Sequence, residues 1–121
     1  MELQIGTRRV GEVTILDVAG ELDLYTVPRL DEGLRGVTAV PGSRVVVNLT
    51  GVAYVDSTAL KVLTDNQKRV RQHGGEIVLV ATQPTIVKIF KITGLSNVFA
   101  IYDTVDDALA AVSAVPPSTG E

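Results

Sequence analysis

Few residues in this chain have reactive side chains in suggestive company, and they fall in two short clusters, Gly20-Glu21-Leu22-Asp23 and Asp56-Ser57-Thr58. A serine beside an aspartate can act as a nucleophile, accept a phosphoryl group or start a helix, and its surroundings decide which. Nucleophilic hydrolysis needs a base within hydrogen-bond reach of the hydroxyl. The one histidine, His73, lies at the far end of the helix that Ser57 would open, about 24 Å away at 1.5 Å of rise per residue. That separation excludes the pair, and His73 reads instead as a polar or cationic group near a helix C-terminus. The chain has no G-x-S-x-G elbow, no G-x-x-x-x-G-K phosphate loop and no G-x-G-x-x-G after a strand, so no cofactor is expected. With one histidine and no cysteine, metal ligation would fall to carboxylates, and Glu21, Asp23 and Asp56 do not follow the spacing of a metal loop. No enzymatic activity is expected. The remaining roles for the two clusters are helix capping and a regulatory function.

Both clusters sit where one hydrophobic period gives way to another. Leu3, Ile5 and Thr7 alternate, Val10-Gly11-Glu12 offers a turn, and residues 13–18 form a second strand antiparallel to the first, broken at Gly20. Val27, Leu30 and Leu34 recur at helical spacing, with Thr26 as N-cap and Pro28 in the first turn. After Pro41-Gly42, residues 44–49 contain Val45-Val46-Val47, a β-branched run suited to a central strand covered on both faces. Thr50-Gly51 reads as a turn. Asp56-Ser57-Thr58 then starts a long helix with Leu60, Leu63, Gln67 and Val70 on one stripe, ended by Gly74-Gly75 after His73.

Residues 77–80 are a strand, Pro84 opens a helix carrying Ile86, Val87, Ile89 and Phe90 that Gly94 stops, and residues 98–102 are a last short strand. Asp103 or Thr104 caps a final helix with Val105, Ala108, Leu109 and Val112 on one side. The order ββαβαβαβα predicts a single α/β domain over residues 1–114, with a mixed β-sheet opened by an N-terminal hairpin and its later strands parallel. Residues 115–121 are expected to be a disordered tail. In open α/β sheets the carboxyl ends of the strands form the functional edge, and both polar clusters fall there.

Composition narrows the function classes further. A chain of 121 residues, 45% hydrophobic and 21% charged, can bury a core without a metal or disulfide staple. Lys and Arg number 11 against 14 Asp and Glu, a formal charge of -3, which opposes binding to a phosphate backbone or an anionic membrane. Lys68, Arg69, Arg71 and His73 gather positive charge on one helix, which in an acidic chain reads as a solvated face. Residues 1–10 lack the apolar core of a signal peptide, and no stretch approaches the roughly 20 apolar residues of a membrane span. The expectation is a cytoplasmic protein, a monomer or weak dimer, with neither nucleic acid nor membrane as partner.

Three separated segments carry a resemblance. Gly20-Glu21-Leu22-Asp23, the run Val45-Val46-Val47-Asn48-Leu49 leading to Tyr54-Val55-Asp56-Ser57-Thr58-Ala59-Leu60, and Ile92-Thr93-Gly94-Leu95 together resemble the bacterial anti-sigma-factor antagonists of the STAS domain family. The match follows the family's order over about residues 3–112. It implies a non-enzymatic switch protein that, when unphosphorylated, binds an anti-sigma factor which is also a serine kinase, and so releases the sigma factor. The serine after the aspartate, here Ser57, is the implied phosphorylation site, with Thr58 as the alternate acceptor and a metal-dependent serine phosphatase as the reversing enzyme. Where close relatives continue Gly-Leu-Gly, this chain has Ala59-Leu60-Lys61, which adds a long charged side chain near the expected contact surface. Glu21, Asp23, Asp56, Ser57, Thr58 and Lys61 are the residues expected to meet the partner.

Charge supplies a mechanism for such a switch. Phosphate on Ser57 would add about -1.5 to -2 charges at a helix start, where free N–H groups tolerate it, and would make the surrounding edge repel an acidic partner group. A phospho-aspartyl receiver with Asp56 as acceptor competes on chain length and on the position of Asp56 after the central strand. Against it stand the opening hairpin, the lack of an acidic pair after the first strand and the lack of a lysine after the last. A STAS scaffold subunit of a transporter or stress complex, its Ser57 never modified, is the other alternative.

Overall fold

The computed structural model describes residues 3–114, and the tail expected at 115–121 lies outside the described residues. The chain runs β1 (Leu3–Val10), β2 (Val13–Leu22), α1 (Val27–Val37), β3 (Arg44–Val55), α2 (Ser57–Arg71), β4 (Glu76–Val80), α3 (Pro84–Ile92), a 3-10 turn (Leu95–Asn97), β5 (Ile101–Tyr102) and α4 (Val105–Ala114). The five strands form one sheet in the order β1-β2-β3-β4-β5, with β1 and β2 antiparallel and all later neighbours parallel. This is the expected ββαβαβαβα order with its opening hairpin.

Alternation along the strands divides the core. Val45, Val47 and Leu49 face one side, where they pack with Leu30 and Leu34 of α1, Ala59, Leu63 and Val70 of α2, and Ile86 and Phe90 of α3. Val46 faces the other side, with Val13, Ile15, Val78 and Val80, under Ala108 and Val112 of α4. Both faces of the valine run are therefore fully covered, as its unbroken apolar sequence requires.

Gln67, on the apolar stripe of α2, is buried because its amide replaces a strand partner. Its Oε1 accepts from the Ile77 N–H at 2.9 Å and its Nε2 donates to the Ile77 carbonyl at 2.9 Å, which pins α2 to the start of β4. Two cationic side chains of the same helix are likewise engaged: Arg69 donates to Thr38 Oγ1 at 3.0 Å, and Arg71 pairs with Glu76 at 2.8 Å.

Four local expectations are corrected. The second strand does not stop at Gly20, and Thr50-Gly51 is no turn. β2 and β3 instead continue side by side to Leu22 and Val55, with register shifts between Asp17 and Ala19 and between Gly20 and Glu21. Gly51 is required there because a Cβ would stand 2.9 Å from that of Ala19 on the paired strand. Thr26 is not the side-chain cap of α1, as described below. The strand expected at 98–102 shrinks to Ile101–Tyr102, since the chain before it folds into the 3-10 turn and buries Phe99 edge-on against Phe90. Thr104 does cap α4, with its Oγ1 accepting from the Asp107 N–H at 3.0 Å. His73 is exposed, and it is its carbonyl, accepting from the Gly42 N–H at 2.8 Å, that serves the turn.

Candidate functional site

The continued pairing of β2 and β3 brings the two polar clusters together. Glu21 lies opposite Tyr54 and Leu22 opposite Val55, and the Asp56 N–H donates to the Leu22 carbonyl at 3.1 Å. The start of α2 and the turn after β2 are thereby held side by side at one sheet edge.

Asp56 is the N-cap of α2. Its Oδ1 accepts from the Thr58 N–H at 3.0 Å and the Ala59 N–H at 3.2 Å, two of the amides that a helix start leaves without partners. The Thr58 hydroxyl donates to the same oxygen. These bonds favour the ionised carboxylate and hold Asp56 below the usual aspartate range: the Thr58 hydroxyl is the largest cause, burial opposes it, and the N–H groups of Ala59 and Thr58 add to the lowering. The Asp56 N–H bond to the Leu22 carbonyl keeps the end of β2 beside this residue.

That turn is organised by Asp23. Its Oδ1 accepts from the Tyr25 N–H at 2.9 Å and the Thr26 N–H at 3.0 Å, while the Thr26 hydroxyl donates to the Glu21 carbonyl at 2.7 Å. The capping role expected of Thr26 is filled by no side chain, and the Asp23 carboxylate is occupied within its own turn, ahead of α1. Bending the chain this tightly pushes the next side chains outward: Tyr25 is 87% exposed and Leu24 62%, with Tyr54 at 50% on the adjoining strand.

Ser57, the first residue of α2, is exposed, and its hydroxyl makes no hydrogen bond among the described residues. Thr58 is half-buried and bonded to Asp56. Lys61 is exposed one turn along and pairs with Asp65 at 2.8 Å. Gln83, just before α3, closes the opposite flank. β3 pairs with β4 only as far as Asn48, and beyond that point the Gln83 amide donates to the carbonyls of Leu49 at 3.0 Å, Thr50 at 2.8 Å and Val52. A side chain thus takes the place of a neighbouring strand along the segment that leads to Ser57.

The chain matches a known family over residues 4–108. It belongs to the STAS domain family. This STAS domain is 36% identical over 101 residues to the anti-sigma-B factor antagonist of Listeria monocytogenes, a match covering 84% of this chain and 88% of that protein. The crystal structure of an anti-sigma factor antagonist from Mycobacterium paratuberculosis is similar with a TM-score of 0.86 at 29% identity, over 93% of this chain and 95% of that one. The Bacillus cell fate determinant SpoIIAA shares the fold in its phosphorylated form, with a TM-score of 0.68 at 19% identity over 90% of this chain and 99% of that one.

Within the STAS domain, the edge gathers Glu21, Asp23, Asp56, Ser57 and Thr58, with Lys61 on the first turns of α2. The Ile92-Thr93-Gly94-Leu95 segment lies elsewhere, at the end of α3, where Gly94 adopts φ 80° to start the 3-10 turn. Leu24, Tyr25, Tyr54 and Gln83 escaped the reading of the sequence. Two of the three tyrosines flanking the polar clusters were the available signal for the exposed apolar residues. Nothing local marked Gln83, because its partners lie on another strand.

Proposed function

We propose that this STAS domain is an anti-sigma-factor antagonist whose unphosphorylated form binds an anti-sigma factor that is also a serine kinase, and that phosphorylation at Ser57 switches binding off. The observation that carries this reading is the free, exposed Ser57 hydroxyl at the start of α2, beside Leu24, Tyr25 and Tyr54, which offer apolar contact area at the same edge. Thr58 is the poorer acceptor, since its hydroxyl is already given to Asp56.

In the reaction, the Ser57 oxygen attacks the γ-phosphorus of ATP, the bond to ADP breaks and the hydroxyl proton is lost. A metal-dependent phosphatase returns the hydroxyl by hydrolysis to inorganic phosphate. The added charge sits next to Asp56 and near Glu21, so an acidic group on the partner meets repulsion while the fold stays as it is. A hundredfold loss of affinity needs only about 2.7 kcal/mol. An anti-sigma partner places the working protein in the cytoplasm.

Phosphosite mapping by mass spectrometry on protein from its own cells, growing and stressed, tests the switch. Phosphate on Ser57 that varies with condition is expected, together with capture of the kinase by Ser57→Ala and weaker capture by Ser57→Glu. Ser57 unmodified in every condition would overturn the switch and leave a constitutive antagonist or a scaffold subunit.

A further inference from the structure

Ser57, Lys61 and Asp65 succeed one another at intervals of four along α2, all three exposed, so a hydroxyl, an ammonium and a carboxylate stand in line on one helix face. Lys61 is engaged with Asp65 in a pair whose side chains are 75% and 57% exposed. Solvent screens such a pair, and its orientation is the less favourable one, because the cation precedes the anion along the helix. An anion at position 57 would face Lys61 in the opposite and better order. It would also lie nearer the helix start, which favours negative charge.

We propose that Lys61 is a built-in counter-charge for phosphorylated Ser57, leaving Asp65 and pairing with the phosphate once the serine is modified. The proposal rests on the phosphorylation reading above. A phosphate brings up to two charges and three acceptor oxygens where Asp65 brings one charge, and the flexible lysine stem with its three rotatable donors can turn to either neighbour. The exchange partly neutralises the phosphate and releases Asp65. The negative surface met by a partner therefore extends from Ser57 down α2 to Asp65, which gives the Ala59-Leu60-Lys61 sequence a role in regulation.

The test uses full-length protein with phosphoserine installed at position 57 during synthesis, so that no kinase is needed. Phosphorus NMR follows the second ionisation of the phosphate against pH in the otherwise unaltered protein and in Lys61→Met, Asp65→Asn and Lys68→Met backgrounds. A nearby cation favours the dianion, so Lys61→Met is expected to raise the midpoint by about 0.3 pH unit. Asp65→Asn, which removes the competitor, is expected to lower it, and Lys68→Met to leave it unchanged. Equal midpoints with and without Lys61 would overturn the proposal. Failure of the parent reading is separate, since it would appear as unmodified Ser57 in cells with the NMR difference still present.

Discussion

Asp56 and Ser57 are adjacent, yet their side chains have opposite duties: one carboxylate oxygen of Asp56 ties down two helix amides and a hydroxyl, while the Ser57 hydroxyl has no hydrogen-bond partner among the described residues. Removing the cap by Asp56→Ala is expected to cost about 1 kcal/mol and to lower Tm by about 4 °C, whereas Ser57→Ala should leave Tm unchanged within about 1 °C, both read by calorimetry. The sequence named both residues because Asp-Ser-Thr before an apolar stripe is a helix start. It could not divide the roles, since which hydroxyl turns inward depends on what packs against it. The same limit explains Asp23 and Thr26. Thr26 has the residue type to cap α1, but its hydroxyl is drawn to the Glu21 carbonyl, and Asp23 holds the amides of Tyr25 and Thr26 ahead of the helix.

At the scale of elements, the site depends on β3 running past the end of β4. Its last residues pair with β2 on one side and with the Gln83 amide on the other. Gln83→Ala leaves those carbonyls without their donor, and amide exchange at residues 51–55 is expected to speed up by about fivefold, with little change in β4, as measured by hydrogen–deuterium exchange. Equal exchange in both proteins would show that the β2 pairing alone secures the segment. Thr50-Gly51 looked like a turn because Gly commonly marks one. In the structure the glycine is there for clearance from Ala19, and a close approach between strands is not written in either strand's own pattern.

Across the whole molecule, three aspartates are held below the usual carboxylate range at three separate junctions. Asp17 is held by the Arg8 guanidinium and then Asn48, Asp31 by the Asn66 amide and then Arg35, and Asp56 by the Thr58 hydroxyl and then helix amides. Asp17 joins β1 to β2 and β3, Asp31 joins α1 to α2, and Asp56 caps the start of α2. A carboxylate depressed in the folded state contributes stability that is present above its unfolded value, about pH 4, and lost as pH falls through the folded value. Tm is therefore expected to be level above about pH 5 and to fall progressively below pH 4. Asp17→Asn should lower the plateau and flatten the acid limb, which a calorimetric pH series would reveal.

The order of the elements, the hairpin opening, the buried valine strand and the position of Asp56-Ser57-Thr58 at a helix start were all legible in the amino-acid sequence, because each rests on contacts within a few residues or on a repeating period. The tertiary structure decided the rest: that β2 and β3 stay paired beyond their expected ends, that the Asp56 N–H bonds the Leu22 carbonyl, that Leu24 and Tyr25 face outward, and that Gln83 replaces a missing strand. Each of these joins residues far apart in the chain, where local pattern carries no record of the partner and only the closed sheet brings the two together.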